Sequence, residues 1–79
     1  MISNLQIRAA RALLGWSQAK LAEEAGVSVI TVKRMEASPA AFHARSDIVM
    51  KVKAAVERGG VVLLEGPDGF SHGVQLRAP

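Results

Sequence analysis

Residues 18–36, QAKLAEEAGVSVITVKRME, constrain the fold of this chain more than any other stretch. Their middle, VSVITV, is a β-branched run with strand propensity. It lies between QAKLAEEAG and KRME, both of which read as helix. A six-residue strand at this place would have no partner within hairpin reach, so the spacing predicts two helices joined only by the turn GVS. In that turn Gly26 supplies a positive φ angle, Val27 points an apolar group inward, and Ser28 caps the following helix. Val32 and Met35, three apart, then face the core. Val29, Ile30 and Thr31 fall at the start of that helix on its exposed side, and apolar side chains there call for a partner surface.

The same punctuation continues upstream. Ser3 followed three residues later by Gln6 is a capping-box signature, after which Ile7, Ala10 and Leu14 share one face with Leu13 beside them. Gly15 stops this first helix, Ser17 caps the second, and Leu21, Ala22 and Ala25 keep the helical period until Gly26. Downstream, ASPAAFHA (37–44) carries a proline and no period and is expected to be a loop. A fourth helix is expected to begin near Arg45, with an apolar stripe of Ile48, Val49, Val52, Ala55 and Val56, and to close at Gly59 and Gly60. VVLLE, GPDGFSHG and VQLR then read as a β-hairpin with a long glycine-rich turn, spanning about 61–77. The expected architecture is mainly α: a single domain over 1–79, helical over about 3–58, with a C-terminal β-hairpin.

Composition bounds the function classes. With 79 residues and only three aromatic ones, the chain has room for one modest core. No apolar run approaches the roughly 18 residues of a membrane span, and no charged, apolar leader is present. A soluble, cytoplasmic protein is therefore expected. There is no cysteine, which excludes a disulfide framework and thiolate metal ligation. Ten Lys and Arg against seven Asp and Glu give a net charge of +3, compatible with a polyanionic partner.

Gln18 to Glu36 resembles the helix-turn-helix of the lambda-repressor-like, or xenobiotic-response-element-type, DNA-binding family. The matching features are Gln18 opening a helix, the small Ala22, Gly26, the Val27-Ser28 turn and cap, and the aliphatic Val32; ARALLGWSQ upstream also looks like the family's first helix and its junction. The resemblance covers roughly residues 5 to 58. It implies a third helix that enters the DNA major groove. The positions equivalent to the family's base readers are Val29, Ile30, Lys33 and Arg34, with Ser17, Gln18 and Thr31 where the family holds phosphates and Ser28 as the helix cap beside them. Apolar Val29 and Ile30 suit thymine methyls, and Lys33 or Arg34 suits guanine or a phosphate. Family members with glutamine or serine at positions 29 and 30 have more hydrogen-bond readout, so DNA shape is expected to carry more here. The resemblance also implies a buried ion pair between Arg11 and Glu36.

The remaining features have simpler explanations. Trp16 beside a turn is expected to pack rather than stack on a base. His43 and His72 lack ligand spacing, so no metal or other cofactor is expected. Ser17, the two histidines and Asp47 lack the strained turn of a catalytic nucleophile, and GGVVLLEGPDG lacks the Gly-Lys-Ser/Thr end of a phosphate loop. Arg8, Lys20, Lys51, Lys53 and Arg58 are expected to solubilise the surface, with Arg8 and Lys20 nearest the DNA face.

VVLL is apolar on both strand faces, which fits a strand covered on both sides. A second protomer across a twofold axis would supply the second cover, the alternative being a wing folded on its own domain. The function expected is a sequence-specific transcriptional regulator acting on double-stranded DNA as a homodimer. Two other classes are an antitoxin-like module whose hairpin binds a protein partner, and a nonspecific nucleoid-type binder. An enzyme is not expected.

Overall fold

The computed structural model describes residues 2–39, 46–68 and 72–77. Among them are four helices, α1 (Asn4–Leu14), α2 (Gln18–Ala25), α3 (Val29–Ala37) and α4 (Ser46–Arg58), followed by an antiparallel hairpin of β1 (Val61–Glu65) and β2 (His72–Leu76). The mainly helical architecture with a C-terminal hairpin is the one expected.

Local chemistry accounts for the helix ends. Ser3 Oγ accepts from the Gln6 N–H while Gln6 Oε1 accepts from the Ser3 N–H, completing a capping box. Ser17 and Ser28 cap α2 and α3 by accepting from the backbone N–H groups of Lys20 and Thr31. Gly15 and Gly26 end α1 and α2 at φ 68° and 72°, the left-handed region that side chains resist. The β-branched run is therefore helical, held by a cap at one end and by burial of Val32 and Met35 along its inner face.

The core joins all four helices and the first strand. Ile7, Leu21, Val32, Val52, Val56 and Val61 are its largest fully buried side chains, each contributing about 1.5 to 3 kcal/mol by leaving water. Ala10, Ala22 and Ala55 are buried with them and let the helices approach closely. Trp16, Leu14, Val27, Ile48 and Val49 pack around this centre, as expected.

Two sequence expectations need correction. Ala37 still belongs to α3 and Pro39 has helical backbone where a loop was expected over 37–44; residues 40–45, with His43 and the expected start of α4 at Arg45, lie outside the described residues. His72 and Gly73 are strand rather than turn, paired with Glu65 and Leu64, because the ladder runs on to the Val61–Leu76 pair in one unbroken register. Within one chain VVLL has one face on the core and the other uncovered. The register puts Val61, Leu63, Val74 and Leu76 on one face, where Val61 is buried and Leu63 and Val74 pack on the core, and leaves Leu64 on the other face 43 % exposed.

The hairpin is tied to α1 by one buried side chain. Gln6 Nε2 donates to the carbonyls of Leu64 and Gly73 at 2.8 and 2.9 Å, bridging both strands, while its Oε1 serves the capping box. Arg58 joins α4 to α2 by donating to the Glu24 carbonyl at 2.8 Å, a cation at a helix C-terminus. It is more than a solubilising charge.

Candidate nucleic-acid interface

The outer face of α3 forms the centre of the candidate site. Ile30 is 58 % exposed at its first turn, and Lys33 and Arg34 are exposed one turn on. Neither cation has a carboxylate partner among the described residues. Val29, expected on the exposed side, is partly exposed, with its side chain packed against the core. Thr31 is also partly buried, and its hydroxyl lies 2.8 Å from that of Ser28, so the two hydroxyls at the start of α3 order one another.

The N-terminus of α2 lies beside this face. Ser17 is exposed and its Oγ accepts from the Lys20 N–H at 3.0 Å. Gln18 is partly buried and turned inward, with Nε2 donating to Glu36 Oε1 at 3.1 Å, so one of its two amide hydrogens is already engaged. Lys20 pairs with Glu24 one turn along α2 at 2.9 Å. That hydrogen bond raises the Lys20 pKa, and the Glu24 charge adds to it.

Beneath the face lies the ion pair implied by the family resemblance. Arg11 Nε and Nη2 donate to the two oxygens of Glu36 at 2.7 and 2.8 Å, the forked geometry favoured by guanidinium and carboxylate. Arg11 Nη1 also reaches the Trp16 carbonyl at 3.2 Å, and Asn4 Nδ2 donates to the Glu36 carbonyl at 3.1 Å. The pair and its neighbours therefore fasten α1, the α1–α2 junction and the start of α2 to the end of α3. The hydrogen bond to Glu36 raises the pKa of the Arg11 guanidinium; partial burial opposes this, and the Glu36 charge adds to it. A basic pKa raised by folding stabilises at every pH below the ordinary arginine range and loses that contribution only above it, so the Arg11 side of the pair is constant through neutral pH.

Arg8 also belongs to this region. It lines a cavity of about 300 Å³ together with Arg11, Gln18, Lys33, Glu36 and Ala37. The signal in the sequence was its position one helical turn before Arg11. Helical spacing puts Arg8 near that residue, but only the crossing of α1 and α3 brings it to Lys33.

Against this geometry, residues 7–42 match a family model described as Helix-turn-helix. Residues 7–42 are thus similar to the lambda-repressor-like helix-turn-helix. The family consists of DNA-binding regulators, and DNA is the partner it implies. The match spans most of α1, all of α2 and all of α3, and ends before α4 and the hairpin. No curated protein matches the chain. Among the described residues there is no cluster of metal-ligating side chains, and no helix is long and apolar enough to cross a membrane.

Proposed function

We propose that this protein is a sequence-specific transcriptional regulator of the cytoplasm that reads an operator major groove with α3 and binds as a homodimer. The observation that carries the reading is the exposed outer face of α3 within a helix-turn-helix. Ile30 is directed outward with Lys33 and Arg34, and neither cation is engaged by a carboxylate among the described residues. An apolar side chain beside two cations suits a thymine methyl next to a guanine or a phosphate. Ser17 and Ser28 add exposed hydroxyls at the starts of α2 and α3, with Gln18 and Thr31 partly buried beside them.

Support for a dimer comes from the hairpin. Leu64 is exposed on one face of it and Leu76 on the other, and Leu5 is exposed on α1, where a groove of about 250 Å³ runs between Leu5, Ala9 and Val74. A twofold partner covering that surface would place two α3 helices on half-sites about 10 bp apart or a multiple of it. The same groove favours a second reading, an antitoxin-like module that holds another protein there. A stoichiometric complex with such a protein, combined with no preference among duplexes, would favour the second reading.

Selection of bound sequences from random duplex DNA tests the proposal. A palindromic winner bound about 10³-fold or more above a scrambled duplex supports a dimeric specific regulator. Equal affinity for both duplexes refutes specific reading and leaves a nucleoid-type binder. A monomer at high micromolar concentration by light scattering refutes the dimer.

A further inference from the structure

We propose that Arg8 and Lys33 form an anion site for one phosphodiester of the DNA backbone, and that Lys33 is thereby a positioning residue, leaving Ile30 and Arg34 as the base-reading side chains of α3. This rests on the DNA-binding reading above. Arg8 on α1 and Lys33 on α3 are both exposed and face one cavity of about 300 Å³. Glu36 lines it too, but its oxygens are already taken by Arg11 at 2.7 and 2.8 Å and by Gln18 at 3.1 Å, so its charge is balanced in place. Ala37 completes the wall without charge.

Arg8 and Lys33 therefore share a concavity whose lining carboxylate, Glu36, is already paired with Arg11, and neither of the two has a carboxylate partner among the described residues. Their mutual repulsion is relieved by an anion. A phosphodiester carries one negative charge over two open oxygens, so it can accept from a guanidinium and an ammonium together. Gln18 adds the second hydrogen of Nε2, the first being held by Glu36. Helix geometry separates Lys33 from the reading stripe. At 3.6 residues per turn, Arg34 lies about 40° round from Ile30 and Lys33 about 60° the other way. The second direction is the one that meets Arg8.

The full chain and its Arg8→Gln, Lys33→Gln and Arg34→Gln variants are titrated with the duplex selected by the wild type and with a scrambled duplex, between about 50 and about 200 mM salt. Arg8→Gln and Lys33→Gln are expected to weaken both duplexes by one common factor, about fivefold at about 0.15 M salt, and each to take about 0.9 off the slope of log affinity against log salt. Reselection with Lys33→Gln should return the same consensus, and Lys33→Arg should restore the slope. Arg34→Gln should instead narrow the gap between the two duplexes. A Lys33→Gln consensus altered at one position of each half-site, with affinity for the scramble unchanged, would make Lys33 a base reader and overturn the proposal. Unchanged slopes in both variants would also overturn it while leaving DNA binding standing. A wild-type chain that holds neither duplex removes the DNA-binding reading itself, and the anion site with it.

Discussion

Replacing Glu36 with alanine tests whether the ion pair beneath the interface is architectural. The Glu36 side chain is 4 % exposed and that of Arg11 21 %. The substitution removes two guanidinium hydrogen bonds and the one from Gln18, leaving Arg11 a single acceptor, the Trp16 carbonyl at 3.2 Å. Breaking a buried pair costs about 3 to 5 kcal/mol. Because a fifth of Arg11 reaches water and Trp16 still accepts from it, the low end, about 3 kcal/mol, is expected. A domain of this size has a total stability of about 4 to 12 kcal/mol, so Glu36→Ala should remove a large share of it and lower Tm by about 12 to 24 °C. Urea unfolding should be followed by far-UV circular dichroism and by fluorescence of Trp16, the single tryptophan, which sits at the α1–α2 junction. The double variant Arg11→Met with Glu36→Leu removes both charges and should return to within about 1 kcal/mol of the wild type. A loss below about 1 kcal/mol for Glu36→Ala, the value of a solvated pair, would refute the buried-pair reasoning. So would a double variant whose losses add instead of cancelling.

Three further substitutions probe the frame. Gly26→Ala should cost about 1 to 2 kcal/mol in urea unfolding through backbone strain alone, because φ is +72° and a Cβ there would meet nothing within 4 Å; wild-type stability would show that the turn relaxes. Gln6→Met should cost about 2 kcal/mol for its two bonds to the Leu64 and Gly73 carbonyls, and should speed hydrogen exchange in β2 more than in α3. Equal acceleration in both would mean that Gln6 does not hold the hairpin. Gly59→Ala places a Cβ 3.0 Å from Leu14 and 3.1 Å from the Trp16 ring; a loss of about 1 kcal/mol with shifted Trp16 emission is expected from overpacking, and an unshifted spectrum with no loss would contradict it.

Which elements form is written in short-range chemistry. Ser3 and Gln6, Ser17 and Lys20, and Ser28 and Thr31 act across three residues, and Gly15 and Gly26 act through their own φ angles. Helix ends, the two-helix turn and the buried stripe from Ile7 to Val56 are therefore legible from residue order, as is the reason a β-branched run is helical. What each of those side chains meets is set by contacts that residue order does not encode. Gln6 looked like a capping residue and is also the bridge to strands 58 and 67 residues away. Gln18 donates to Glu36, Val29 leans on the core, and Arg8 and Lys33 line one cavity where α1 and α3 come together. Caps and periods depend on neighbours within one turn of helix, whereas the chemistry of the α3 face depends on how separate helices cross. That crossing is fixed by the shared core of Ile7, Leu21, Val32, Val52 and Val56 rather than by any single segment.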